Sequence, residues 1–153
     1  HQFLLKKYVS ESLHEEKNRI GRALGQFKDV RLIKKTLDFA LSKHVRYQST
    51  AGIFHSVWTN PYGRIKVWEF TKQRWKTLLE RFPSSGHMLN KFIKPLSFLT
   101  QKKQASEVKT FFKKHKAPGA NRTTEQVLEK ILSNDAWIKR DLNKIENWLS
   151  NNV

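Results

Sequence analysis

The six histidines, His1, His14, His44, His55, His87 and His115, are the residues from which metal chemistry would be built. A zinc-hydrolase helix needs two His one turn apart, with a Glu beside the first. Both imidazoles then meet one ion, and the carboxylate acts on its water. His14-Glu15 begins that pattern, but the second ligand position is Asn18. His14 therefore reads as a solvated helix residue, and the other histidines stand isolated in sequence. The absence of cysteine excludes disulfides, iron–sulfur clusters, cysteine-ligated zinc and thiol nucleophiles. It leans towards a reducing compartment or a prokaryotic source, and cytoplasmic placement is the expectation. No GxxxxGK[ST] loop, GxGxxG turn or G-x-S-x-G elbow is present. Glu15 with Glu16, or Asp135 with Asp141, can be drawn as an acid–base pair. Carboxylates near helix starts more often answer the helix dipole. The expectation is no catalytic residue, no metal ligand and no cofactor in this chain.

Charge is the other chemical signal. Thirty Lys+Arg against 13 Asp+Glu leave +17, a balance that favours anionic partners. Lys113-Lys114-His115-Lys116, Lys102-Lys103, and Arg64, Lys66, Lys72, Arg74 and Lys76 are the candidate phosphate contacts. The last set surrounds its helix instead of forming one stripe. Trp68 and Trp75 sit on the apolar side, where core packing is the default and base stacking the exception. Nucleic acid is therefore not the expected partner. A free-standing basic scaffold for nucleic acid or an acidic protein is the alternative reading.

Something must position these residues, and the chain reads as helical throughout. At 153 residues with 38% apolar content, it is the size of one domain with a real core. No apolar run approaches the ~18–20 residues of a membrane span. The N-terminal HQFLLKKYVSESLHEEK is too charged for a secretory signal and starts in mid-helix, so a piece of a longer protein is expected. Asn121-Arg122-Thr123 is a formal glycosylation sequon, a triplet common by chance.

The pattern predicts helices over about 2–12, with Phe3, Leu4 and Tyr8 inward, and over 15–27, where Gly21 and Gly25 admit a close neighbour. Asp29 is a good N-cap for 30–42, with Val30, Ile33, Leu37 and Leu41 on one face. Residues 43–49 read as a loop and 50–59 as a short apolar helix with Ile53, Val57 and Trp58. Asn60 caps a long helix over 61–82. Pro61 takes its first position, and Trp68, Trp75, Leu78, Leu79 and Phe82 share one stripe. Pro83-Ser84-Ser85-Gly86 is a breaker. Short helices follow over 87–94 and, with Thr100 as cap, over 101–115. A turn at Ala117-Pro118-Gly119-Ala120 precedes a helix over 123–132. Asn134 or Asp135 then caps a last helix striped by Ile138, Leu142, Ile145 and Leu149. This is an all-α solenoid or irregular bundle of about eight helices in antiparallel pairs, forming a single helical domain over 1–153.

Several segments together resemble one family. EKNRIGRALGQFKDVRLIKKTLDFAL, HVRYQST, NPYGRIKVWEFTKQRWKTLLERF, SEVKTFFKKH and NRTTEQVLEKILSNDAWIKRDLNKIENWL occur in the order seen in the C-terminal helical domain of M1-family zinc aminopeptidases. The likeness is closest to the puromycin-sensitive and endoplasmic-reticulum aminopeptidase branch and covers nearly the whole chain. It implies a HEAT-like stack of helix pairs, the last part of a larger C-terminal domain, that curves over a catalytic domain. Such a domain encloses the peptide cavity and moves between open and closed forms. The family's enzymes remove N-terminal residues from peptides with zinc bound by HExxH and a downstream Glu, motifs this chain lacks.

The resemblance therefore implies a non-catalytic fragment. Its partners would be the catalytic domain of the same parent and a peptide substrate, and exposed helix faces would invite self-association. It also implies three substrate-facing candidates. Arg64, in the NP-x-GR motif, matches a basic cavity position suited to a carboxylate. Arg46 in HVRYQ is the second, and Phe98, after Pro95-Leu96-Ser97, the third. Relatives usually read VR-x-QD, whereas Ser49 stands here in place of the Asp.

Overall fold

The computed structural model describes residues 1–82 and 86–152. Among them are nine α-helices and one 3-10 turn, and no strand. The helices are α1 (Gln2–Ser10), α2 (His14–Leu24), α3 (Val30–Ala40), α4 (Tyr47–Thr59) and α5 (Arg64–Gln73), then α6 (Trp75–Arg81), α7 (Gly86–Ile93), α8 (Lys102–Lys114) and α9 (Asn121–Asn152). The 3-10 turn, Lys94–Phe98, continues directly from α7. The all-α architecture expected from sequence is the one observed, with successive helices packed side by side as in an α-solenoid. The expected breaker at Pro83, Ser84 and Ser85 lies outside the described residues.

The hub is α4, which packs against α2, α3, α5, α7 and the 3-10 turn. Its sequence explains that position. Thr50, Ala51, Ile53, Phe54, Ser56, Val57 and Trp58 are all buried. A helix apolar nearly all round must be surrounded. Beyond the exposed Tyr47 at its start, what stays open is one line at helical spacing, Gln48, Gly52, His55 and Thr59. Thr50, buried near its start, donates through Oγ1 to Ala40 O at 3.1 Å.

Two glycines let α2 lie close on α4. A Cβ on Gly21 would stand 3.0 Å from Ile53 Cγ1. One on Gly25 would stand 1.9 Å from Ser56 Oγ. Asp29 caps α3 as expected, its carboxylate accepting from Arg31 N at 2.8 Å. The tryptophans are core. Trp68 and Trp75 pack against Phe111 and Phe112 with ring centroids 5.2–6.3 Å apart, locking α8 onto α5 and α6. Edge-on aromatic packing of this kind adds to the area each ring buries.

Four boundaries differ from the sequence expectation. Residues 61–82 are not one helix. Asn60 Oδ1 does cap, accepting from Tyr62 N at 3.0 Å, but it caps a turn, and Pro61 precedes the helix instead of opening it. The run also bends at Arg74, where no proline or glycine announces a break. The two expected C-terminal helices are one, α9. Asn134 and Asp135 are good capping residues that serve neighbours instead. Asn134 Nδ2 donates to Ser97 O and Leu99 O at 2.9 and 3.0 Å. Asp135 Oδ1 accepts from Lys102 N at 3.1 Å, at the start of α8. Thr100 does not cap α8; its own amide donates to Gln104 Oε1 at 3.1 Å. Finally, α4 begins at Tyr47, inside the expected loop.

Some expected inward residues face out. Phe3 is 76% exposed because α1 is an edge helix packed on α2. Val30 opens α3 at the surface. The stripe on the last helix is real, but Leu142, Ile145 and Leu149 are exposed.

Candidate functional site

Gln48, Gly52 and His55, on the open line of α4, form the floor of a cavity. One wall is α2, through Lys17, Asn18 and Arg22. The other is α7 with the 3-10 turn, through Lys91, Lys94 and Phe98. The cavity volume is 660 Å³, and Tyr8 and Ser49 close one end. Four cationic side chains and His55 line it, and no carboxylate does. A concavity of this size with one sign of charge concentrates anions.

The position of each wall residue follows from local structure. Arg22 lies on the exposed side of α2, while the half-buried Lys17 shares the face that carries Gly21 and Leu24 into the core. Lys17 Nζ lies 5.7 Å from the Tyr8 ring centre. Tyr8 is 1% exposed, and burial raises its phenol above the usual value. Its hydroxyl is thus a neutral hydrogen-bonding group beside the cations. Ser49 Oγ donates to Asn18 Oδ1 at 3.1 Å, tying the start of α4 to α2. With Ser at 49, the VR-x-QS segment places no acid at the cavity end.

The three residues singled out by sequence are not all together. Phe98 lines the cavity. Arg64 stacks its guanidinium over the Phe98 ring, 5.6 Å from the centre, and donates through Nε to Trp58 O at 3.4 Å. His55 flanks the same ring from the floor, centroid to centroid 6.2 Å. Arg64 thus props Phe98 from behind the lining. Arg46 is exposed at the N-cap of α4, outside the lining, where its charge acts on Tyr8. Sequence reasoning missed Lys17, Arg22, Lys91, Lys94 and His55. Only Lys91 and Lys94 carried a local signal, a basic pair one helical turn apart; the rest converge from separate helices.

The basic residues considered for phosphate contact are placed differently. Lys66 pairs with Glu69 at 3.0 Å, Arg74 with Asp38 at 3.4 Å and Lys76 with Glu80 at 4.0 Å. Lys72 bonds Glu107. Such surface pairs add little stability, but they interrupt any continuous cationic track. Three of the four carboxylates drawn as acid–base pairs are also engaged. Glu16 pairs with Arg19 at 3.3 Å, Asp135 with Lys139 at 2.7 Å and Asp141 with Arg140 at 2.7 Å.

The histidines are dispersed. His1 Nε2 meets Thr36 Oγ1 at 3.0 Å, His44 stacks near Phe39, and His115 stacks on Phe111. Among the described residues no three His, Asp or Glu side chains gather as a metal site. No helix among them is long and apolar enough to cross a membrane.

Comparison with known proteins fits this arrangement. Residues 1–133 match the model of the ERAP1-like C-terminal domain. Glutamyl aminopeptidase of Bos taurus is 26% identical over 148 residues, 95% of this chain and 16% of that protein. Endoplasmic reticulum aminopeptidase 2 of Bos taurus is 29% identical over 154 residues, 99% of this chain and 16% of that protein. Mitochondrial aminopeptidase 2 of Saccharomyces cerevisiae is 26% identical over 148 residues, 96% and 16% of the two chains. The chain thus spans 16% of the length of these relatives. It belongs to the ERAP1-like C-terminal domain family, the helical C-terminal part of M1 aminopeptidases.

Proposed function

We propose that this chain is the non-catalytic end of an M1 aminopeptidase and that it walls the parent's peptide cavity. Its basic concavity would receive an anionic group of the peptide, such as the terminal carboxylate. The observation that carries this reading is the lining itself: Lys17, Arg22, Lys91 and Lys94 with no acid among them. A carboxylate entering there meets cations from both walls, while Phe98 and the α4 floor offer apolar contact for the adjoining residue. Arg64 acts in this scheme through Phe98, and Arg46 from the rim near Tyr8.

The remaining parts of the reading rest on the family. The catalytic domain of the same parent would be the chain's main partner, and closure of the two would seal the cavity. The described residues offer no ligand set for the zinc of the family's enzymes, so the metal would be held elsewhere in the parent. Cytoplasmic placement, suggested by the missing cysteines, belongs to the same proposal. Similar proteins are named for both the endoplasmic reticulum and the mitochondrion.

The test uses the full-length parent and matched peptides ending in a carboxylate or a carboxamide. Lys91→Ala with Lys94→Ala removes two surface ion contacts worth about 0.5–1 kcal/mol each, so kcat/KM for the acid should fall about 5- to 30-fold. The amide should change much less. Equal effects on both peptides, or none on either, would refute the reading. The alternative basic scaffold would show steep salt-dependent binding to DNA or RNA. The interrupted cationic track on α5 and α6 speaks against it.

A further inference from the structure

From Ala136 onwards α9 leaves the body of the protein. Trp137, Leu142, Ile145, Trp148 and Leu149 are 51, 45, 40, 61 and 46% exposed. These are not scattered apolar residues. Ile138, Leu142, Ile145 and Leu149 follow one another at intervals of four, three and four, the seam spacing of a coiled coil. The same helix face carries Val127 and Ile131, which are buried against the body. The seam also lies past residue 133, beyond the matched family domain. One continuous apolar face is therefore covered over its first half and bare over its second.

We infer that the bare half of α9 pairs antiparallel with the same segment of a second copy of this chain. The seam is self-complementary in that orientation. A two-fold axis between Asn143 and Lys144 sets Ile138 level with Leu149 of the second copy, and Leu142 level with its Ile145. Every one of the four layers then joins an Ile to a Leu. The flanking charges agree. Lys139 and Glu146 border the seam on the same side, so the antiparallel pair brings Lys139 to Glu146 of the second copy twice. A parallel pair would instead bring Asp141 towards the second copy's Glu146, a like-charge contact. The antiparallel orientation puts the two bodies at opposite ends of the helix pair.

The pairing is weak by construction. Four seam positions, about two heptads, fall short of the three to four that sustain a coiled coil. Each copy also carries +17, so copies repel at low ionic strength. Added salt should therefore strengthen association, the opposite of its effect on phosphate binding.

Sedimentation of the 18.1 kDa chain from about 1 μM to about 1 mM tests the inference. The mass should double towards the upper end, more completely at about 0.5 M than about 0.05 M salt. Tryptophan emission should shift to the blue as Trp148, which flanks the seam, leaves water. Leu142→Asp should hold the chain monomeric, with its circular dichroism showing the body still helical. Lys139→Glu alone and Glu146→Lys alone should each weaken association about tenfold. An equimolar mixture of those two variants should recover it, because both flanking pairs are then opposite in sign. A chain that stays at 18.1 kDa throughout would overturn the inference. So would association that survives Leu142→Asp, or a mixture no tighter than either variant alone.

Discussion

Replacing Asn60 with Ala should cost this protein about 3 kcal/mol, and the figure follows from three hydrogen bonds. Asn60 is 2% exposed and joins two segments distant in sequence. Its Nδ2 donates to Gly25 O at 3.0 Å and to Phe27 O at 2.8 Å, at the end of α2. Its Oδ1 accepts from Tyr62 N at 3.0 Å, in the turn before α5. The Gly25 bond is buried, so its carbonyl would be left dry and unpaired, at about 1–3 kcal/mol. The two part-buried bonds add about 0.5–1.5 kcal/mol each. For a chain of this length, a loss of about 3 kcal/mol lowers Tm by about 6–12 °C. Urea unfolding should show an earlier midpoint with an unchanged slope.

Asn60→Asp is the sharper variant. It keeps the acceptor for Tyr62 but turns a carboxylate oxygen towards two carbonyl oxygens. It should be less stable than Asn60→Ala. If the aspartate variant matched the parent protein, or the alanine variant lost less than about 1 kcal/mol, the clamp would not be what holds α2 to the α5 turn.

The close approach of α2 to α4 gives a second contrast. Gly25→Ala puts a methyl group 1.9 Å from Ser56 Oγ and 3.0 Å from the Ser56 carbonyl carbon, so the helices must part. The expected loss is about 2–4 kcal/mol by thermal or urea unfolding. Gly52→Ala, on the cavity floor with nothing within 4 Å, should instead stabilise by up to about 1 kcal/mol. Acid should loosen the α8–α9 junction. The Lys139 side chain, and after it the Lys102 amide, hold the Asp135 carboxyl below its usual range. A folded-state value below the unfolded one contributes stability above the ordinary carboxylate pKa and loses it as pH falls through the folded value. Asp135→Asn should therefore flatten the acid limb of a stability–pH curve, and an unchanged limb would exclude this group.

Several local signals in the sequence were read correctly, where the residue acts on its own segment or on a tight neighbour. Asp29 caps α3, Gly21 and Gly25 admit α4, and Trp68 and Trp75 are core. The failed caps at Asn134 and Asp135 share one physical cause. Asn134 and Asp135 have the chemistry of caps, but their partners are Ser97, Leu99 and Lys102, more than 30 residues away. Capping strength is visible in a sequence; the identity of the capped segment is not. The cavity follows the same rule. Phe98 was legible through the resemblance, whereas Lys17, Arg22, Lys91 and Lys94 meet only once α2 and the 3-10 turn flank α4. Arg64 was legible as a motif residue, but its contact with Phe98 needed the fold.

The encasement of α4 separates two kinds of freedom in the cavity. Because five elements grip this helix, its amide protons should exchange with solvent only when the whole domain opens, and the floor of the cavity should be its slowest-exchanging part. The cations above it, exposed at Arg22, Lys91 and Lys94 and half-buried at Lys17, carry long, mobile side chains. Ligands of different length would thus find an unyielding base and a rim that repositions its charge within nanoseconds. Discrimination would then reside in shape at the floor, while tolerance resides in the cations at the rim.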